Sequence, residues 1–557
     1  MAHSGILPHA HTPLLDDTLD SAVDYKGRPA RRCSSGRWRS ACFIIGVEVA
    51  ERFAYYGIES NLINYLTGRL GQSMATAAQN VNTWSGTASM LPLLGAFVAD
   101  SYVGRYPTIV IASLLYILGL GLLTVSAVLP SFNPSHCQTD KEISSCSPPM
   151  LQVILFFFAL YLVAVGQGGH KPCVQAFGAD QFDGKNPEES KAKSSFFNWW
   201  YFCMSGGILI NSSILNYIQD NLNWGLGFGI PCTTMVAALF VFLLGTKTYR
   251  YSVKGDEKNP FLKIGWVFVA AIKNWHTTDS SLTDEEVSQQ GLACTRWFKE
   301  DGKVCSVSDV EEAKSVLRLF PIWASCLAFA IVFAQPPTFF TKQGVTMDRS
   351  IGSGFKVPAA SLQCFISLSI LLFVPIYDRI LVPTARVLTR KPSGITMLQR
   401  IGTGMFLSVI AMVFAALVEV QRLKTAEQYG LVDIPYATVP MAVWWLIPQY
   451  VIFGVAQVFT MVGLQEFFYD EVPNELRSVG LSLYLSIFGV GSFLSSFLIS
   501  VINKTTGGDG QTSWFNDNLN QAHLDYFYWL LAGLSTVGLS TYLYSARSYI
   551  YNSTSTT

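Results

Sequence analysis

The sequence predicts an all-α membrane protein whose twelve transmembrane helices fall into two six-helix bundles. Three observations lead there. Half of the 557 residues are hydrophobic and only 14% are charged, against roughly a quarter in an ordinary globular chain. Mean hydropathy is +0.33. The charges are also unevenly placed, with 22 of them between Lys247 and Arg318 and ten between Asp16 and Arg39, so the stretches on either side of the centre are poorer still.

A hydrocarbon core about 30 Å thick takes about 20 helical residues. On that length, apolar segments run at 42–66, 77–99, 107–130, 151–176, 195–218 and 226–246, then at 316–341, 358–381, 396–419, 439–466, 478–502 and 525–546. The order is six, a polar gap, and six. The chain therefore divides into a polar tail at 1–41 expected to be disordered, a bundle at 42–246, a central loop at 247–315, a second bundle at 316–546, and a short tail at 547–557.

Orientation follows from basic residues near the ends of the spans. Lys26, Arg28, Arg31, Arg32, Arg37 and Arg39 precede the first segment, and Arg379, Arg386, Arg390, Lys391 and Arg400 cluster between the eighth and ninth. Both groups lie on one side of a twelve-span chain, which puts both termini and the central loop in the cytosol. The opposite side receives Cys137 and Cys146, two cysteines of one polar loop that are placed to form a disulfide in an oxidising compartment. It also receives the glycosylation sequon Asn503-Lys504-Thr505. Cys42, Cys173, Cys203, Cys232, Cys326 and Cys364 sit in apolar stretches and read as buried thiols. Cys294 and Cys305 fall in the cytosolic loop and are expected to be free.

Several function classes drop out. A formal net charge of zero offers no basic excess for nucleic acid. No cysteine has zinc-type spacing with histidine, and His3, His9 and His11 are loosely spread, so no metal is expected. Neither H-E-x-x-H, nor a phosphate-cradling glycine loop, nor a nucleophile with its base is present. We therefore expect no cofactor and no enzyme. Gly166, Gly168 and Gly169 lie inside a span and read as points of close helix packing.

The informative charges are those within the spans. Glu48, Glu51 and Arg52 share one face of the first helix. Facing lipid, each would cost roughly 2.5–3.5 kcal/mol, so that face must meet a polar interior. Lys171 in the fourth span and Glu466 near the end of the tenth obey the same logic. Carboxylates beside cations in a partly dry cavity are suited to loading and releasing a proton; the bland alternative is a set of buried salt bridges that hold helices together. His170, beside Lys171, reads as a packed histidine more readily than as a proton relay.

Glu48-Val49-Ala50-Glu51-Arg52-Phe53-Ala54-Tyr55-Tyr56-Gly57 resembles the ExxER motif of the proton-coupled oligopeptide transporters, specifically their plant nitrate/peptide transporter branch within the major facilitator superfamily. Asp100-Ser101-Tyr102-Val103-Gly104-Arg105 is similar to the loop motif between helices two and three of that superfamily. Gly168-Gly169-His170-Lys171-Pro172, Gly178-Ala179-Asp180-Gln181-Phe182, Phe196-Phe197-Asn198-Trp199-Trp200-Tyr201, Tyr377-Asp378-Arg379 and Gln465-Glu466-Phe467-Phe468 continue the resemblance in order along the chain. It implies the major facilitator fold, alternating access, and symport of a small molecule with protons. By position it assigns proton coupling to Glu48, Glu51, Arg52 and Lys171. To Glu466 it assigns help in binding substrate or in closing the cytosolic gate, and to Asp100 and Arg105 conformational stabilisation; Tyr55, Glu59, Phe333 and Gln335 are further candidate substrate-binding residues.

Three departures bear on substrate. Glu59 stands where peptide-carrying relatives tend to have a cation; it either favours a substrate with a positive group or pairs elsewhere at the cavity mouth. Phe333 stands where a nitrate-carrying relative has histidine, so a charge-assisted hydrogen bond from that position is lost. Ser205 replaces the asparagine usual in the fifth-span signature. Trp199, Trp200, Tyr55, Tyr56, Trp444 and Trp445 either line a cavity or serve packing and interfacial anchoring. The sequence thus points to a symporter of nitrate, a di- or tripeptide or a small organic metabolite in the plasma or vacuolar membrane, in contact with lipid. The alternative is a solute sensor signalling through the central loop.

Overall fold

The structure, a computed structural model, describes residues 18–129, 149–183, 186–252, 314–352, 354–389, 395–435, 437–472, 477–507 and 513–549. Cys137, Cys146, Cys294, Cys305 and nearly all of the central loop lie outside the described residues.

The chain opens with β1 (Thr18–Val23) and β2 (Pro29–Arg31), then α1 (Arg37–Glu59), α2 (Leu62–Gly68), α3 (Met74–Val98), α4 (Arg105–Val128), α5 (Met150–Ala179), α6 (Pro187–Ile210), α7 (Asn216–Asn221), α8 (Trp224–Leu244) and β3 (Tyr251–Ser252). The second half carries α9 (Phe320–Phe333), α10 (Thr341–Val345), β4 (Met347–Asp348), β5 (Ser350–Ile351), β6 (Phe355–Lys356), α11 (Cys364–Ile376), α12 (Val382–Thr389), α13 (Met397–Gln428), β7 (Val439–Ala442), α14 (Ile447–Asp470), α15 (Arg477–Thr506) and α16 (Leu524–Ser548). Helix covers most of each of the twelve apolar segments, although the tenth, 439–466, opens on strand β7 before α14. Eight helical stretches among the described residues are long and apolar enough to cross a membrane. Those carrying α1, α3, α6 and α16 are not among the eight, α1 because it holds the charges discussed above.

The packing is bipartite. In the first half α1 packs on α5, α6 and α8, α4 on α5 and α8, and α3 on α5; in the second, α9 packs on α15 and α16, and α13 on α14 and α16. The halves meet where α3 lies on α15 and α6 on α11. Polar contacts tie them near the ends of α1 and α2 and the start of α3: Lys342 Nζ donates to Thr67 Oγ1 at 2.9 Å, Gln363 Nε2 to the Ser60 carbonyl at 2.9 Å, the Met74 amide to Asp517 Oδ1 at 2.7 Å, and Asn82 Nδ2 to Ser495 Oγ at 3.0 Å.

The expectation of a disordered tail fails from Thr18 onward. β1 pairs antiparallel with β2 and with β3, burying Leu19, Ala22 and Ala30. Asp24 closes the hairpin by accepting from the amides of Lys26 and Arg28 and pairing with the Arg28 guanidinium at 2.8 Å. The strands were hidden in the sequence because β3 lies more than two hundred residues away.

A buried ion cluster anchors this segment. Arg250 Nη1 meets Glu189 Oε2 at 2.7 Å and donates to the Gln181 carbonyl at 3.1 Å, while Arg37 Nε reaches Glu189 Oε1 at 2.8 Å. Glu189 lies in the first turn of α6, before the apolar segment that begins at 195. Burial alone would raise its carboxyl, but hydrogen bonds from Arg250, the Asp183 amide and Arg37 outweigh that and hold it at about 2. Gly36 precedes α1 with φ +76°, and a Cβ there would strike the Arg250 side chain. Both facts call for glycine.

Among the cysteines, Cys173 and Cys326 are buried as expected, whereas Cys203, Cys232 and Cys364 are half-buried and Cys42 is exposed. Cys42 corrects the buried-thiol reading: it is exposed, since an apolar stretch of a membrane protein need not bury every side chain.

Candidate functional site

The charged residues of α1 converge inside the first bundle. Arg52 Nε lies 2.9 Å from Glu48 Oε1 and 2.8 Å from Glu51 Oε2, and all three side chains are at most 5% exposed. Spacings of three and four bring Glu48 next to both partners on one helical face. The pairing is incomplete. Glu48 Oε2, Glu51 Oε1 and one terminal Arg52 nitrogen are buried without a hydrogen-bond partner among the described residues. An unmet buried polar group costs about 1–3 kcal/mol, more when charged.

α5 supplies the remaining members. Trp84 of α3 donates to the Leu160 carbonyl at 2.9 Å, and the glycines of α5 allow its neighbours to approach. A Cβ on Gly168 would lie 2.7 Å from Leu91 Cβ, and one on Gly166 would lie 2.8 Å from the Tyr116 nitrogen, as expected for close packing. His170, fully buried on this helix, has a ring nitrogen within 4.8 Å of carboxylate oxygens of Glu48 and Glu51 on α1. Lys171, the next residue, is half-buried, makes no ion pair within 4 Å among the described residues, and lies in the field of Arg52, Glu51, Glu48 and Glu59.

The predicted substrate residues separate into three groups. Glu59 accepts from Tyr55 Oη at 3.0 Å and Ser85 Oγ at 2.8 Å, and Tyr55 stacks on Trp84 with ring centroids 5.3 Å apart. Glu59 and Tyr55 thus continue the α1 cluster one to two turns further on. Phe333 packs on Phe488 and Phe453. Gln335 is fully buried and donates to the Ile331 carbonyl at 2.8 Å and Ser495 Oγ at 3.3 Å, so its amide nitrogen is engaged where the two halves meet. Glu466 lies apart from both, exposed at the end of α14 and paired with Arg400 at 3.3 Å. Arg400 in turn sits 4.3 Å over the Tyr377 ring.

Asp100 sits in a π-helical turn, Ala99–Val103, and Arg105 opens α4. Arg105 bridges Asp100 at 3.3 Å and Asp180 at 2.5 Å. Asp180 belongs to the quoted Gly178–Phe182 motif, but its role as the second acid on Arg105 was not foreseen. Tyr377 likewise begins a π-helical turn, Tyr377–Leu381; such turns often mark functional positions. Asn503 lies in the last turns of α15 and accepts from Ser513 Oγ at 2.7 Å. Of the tryptophans, Trp199, Trp444 and Trp445 are exposed, and Trp200 is buried against Phe196.

Glu48, Glu51 and His170 place ligand atoms within 4.8 Å of one another, which is geometry a metal ion can enter. Arg52 argues against it, because the guanidinium already touches both carboxylates and would face the ion.

The POT family profile matches residues 106–515. The chain belongs to the POT family. Within the family it is 65% identical over 559 residues to the NRT1/PTR family 5.10 protein of Arabidopsis thaliana, covering 99% of each chain, and 58% identical to NRT1/PTR family 5.12 of the same plant, covering 97% of each. Among solved structures it resembles an auto-inhibited POT family peptide transporter (TM-score 0.70, 22% identity, 92% of this chain and 98% of that one). It also resembles the POT family transporter PepTSo (TM-score 0.69, 21% identity, the same coverage). These POT structures have the major facilitator fold, and so does this chain. It is a multi-pass membrane transporter of the nitrate/peptide branch and not an enzyme.

Proposed function

We propose that this POT family member is a proton-driven symporter of a small solute that works by alternating access through twelve spans. The observation that carries the reading is the incompletely paired Glu48–Arg52–Glu51 cluster in an apolar interior. A purely structural ion pair would be expected to satisfy its members, since unpaired charge in low dielectric is costly. A cluster with two carboxylates competing for one guanidinium nitrogen can instead take up a proton on one acid while the other keeps the cation. Lys171 is the mobile counter-charge, moving toward whichever carboxylate is ionised.

The substrate is nitrate, a di- or tripeptide, or a small organic metabolite. Tyr55 and Glu59 face it beside the coupling cluster, with Phe333 on the opposite half. Glu466 with Arg400, and Arg105 with Asp100 and Asp180, hold helix ends in one of the two access states. Basic residues gathered on one side of the spans support a cytosolic position for the termini and central loop, in the plasma or vacuolar membrane.

The test is uptake in oocytes expressing the full chain, at acidic and neutral external pH, with labelled nitrate, an uncharged dipeptide and a panel of organic solutes. At least one solute should enter faster at acidic pH with an inward current. Uptake of a solute that is indifferent to the proton gradient would overturn the coupling.

A further inference from the structure

We propose that His170 is a proton-binding member of the coupling cluster, sharing its proton with Glu48 and Glu51. The inference rests on the proton-coupled reading above, and geometry carries it. His170 is fully buried, and both its ring nitrogens lack a hydrogen-bond partner among the described residues. A ring nitrogen and carboxylate oxygens of Glu48 and Glu51 lie within 4.8 Å of one another. A neutral imidazole has one donor and one acceptor, and leaving both unmet in the interior is costly. Yet the packing of α5 holds the ring here: the glycines at 166, 168 and 169 press that helix against α3 and α4.

The charges facing the ring decide what fills the gap. Glu48, Glu51 and Arg52 approach from α1, Lys171 follows on α5, and Tyr116 faces the cluster from α4. Between Met74 and Val98, α3 has no titratable side chain. Three carboxylates, Glu48, Glu51 and Glu59, act on Arg52 and Lys171, so the cluster is one positive charge short when His170 is neutral. One proton on the ring adds a single positive charge between two acids and needs no additional space. A divalent ion would add two beside a guanidinium already 2.8 and 2.9 Å from the carboxylates.

The step is a simple transfer. A proton arriving on a Glu48 or Glu51 oxygen passes to a His170 ring nitrogen through one bridging water: the carboxyl O–H breaks as the water gains that proton, and the water gives one of its own to form the ring N–H. The freed carboxylate then closes on Arg52, and release runs the same path backwards. The ring thus stores a proton while both acids stay ionised, a state that the carboxylates and Lys171 alone do not provide.

The experiment is infrared difference spectroscopy of the full chain in lipid nanodiscs, stepped from neutral to acidic pH, with isotope-labelled histidine rings. The wild type should show a histidine ring band changing in the same pH interval as a carboxylic-acid band. In H170Q that ring band should disappear and the midpoint of the carboxylic-acid band should shift. An H170Q spectrum identical to the wild type overturns the proposal. If H170Q does not fold, E51Q provides the second reading: the midpoint of the His170 band must move, and an unmoved midpoint overturns the proposal equally. A band pair abolished by chelator would assign the site to a metal ion and also overturn it. Absence of gradient-driven uptake by the wild type with the band pair intact would defeat the transport reading and leave the proton site standing.

Discussion

Two buried acid–arginine sites in this transporter use the same ingredients to opposite ends. On α13, Glu419 and Arg422 are both fully buried and meet at 2.6 and 2.9 Å. Gln343 Nε2 donates to Glu419 at 2.8 Å, and Arg422 donates to Asn520 Oδ1 at 2.8 Å and to the Leu519 carbonyl at 2.7 Å. The pair thereby ties α13 to α10 and to the segment before α16. On α1, Arg52 faces two carboxylates with one shared nitrogen, and oxygens on both acids go unmet. Burial is common to both sites; satisfaction is not. A saturated network fixes one arrangement, while an unsaturated one has room for a proton.

The comparison breaks most visibly at Glu419. R422M leaves a buried carboxylate unpaired and should destabilise the chain by about 3–5 kcal/mol. Thermal unfolding in detergent checks this, and replacing both members with apolar residues should recover most of the loss. E48Q and K171A should do the reverse. Their unfolding temperatures should not fall below the wild type, while acid-stimulated uptake drops roughly 100-fold, the scale of losing a positioned proton-transfer group.

A smaller effect is expected at Glu189, whose network is saturated like that of Glu419 but lies nearer water. Its carboxyl is held from 4.5 down to about 2, so the unfolded chain binds the proton more readily. Its stabilisation is fully present above about 4.5 and is lost as pH falls toward about 2. The stability difference between wild type and E189Q should therefore be flat near neutrality and shrink across that acidic window, as read by unfolding at stepped pH. The smallest change belongs to D100N, since Asp100 is 43% exposed and such pairs contribute roughly 0.2–1 kcal/mol. Unfolding of D100N should differ from the wild type by no more than that.

The two sites were unequally legible in the sequence. Glu48, Glu51 and Arg52 stood out because three charges share a helical face in an apolar span, and the helices themselves followed from segment length and hydropathy. Glu419 and Arg422 passed unnoticed at the polar end of a long apolar helix, since Gln343 and Asn520, which complete their network, are distant in sequence. His170 was set aside as a packed histidine for the same reason: its contact with α1 depends on glycines that bring α5 close to α3 and α4. The tail strands depended on Tyr251 and Ser252, across the whole first bundle. Local pattern identifies what an element is, and distant partners determine what its polar groups do.

The most direct test of the coupling cluster is concentrative uptake into proteoliposomes under an imposed pH gradient, using whichever solute the oocyte screen identifies and comparing wild type with E51Q. The wild type should accumulate the solute and lose the accumulation when a protonophore collapses the gradient. E51Q should still exchange internal for external solute yet fail to concentrate it. Undiminished, protonophore-sensitive accumulation by E51Q would contradict the account.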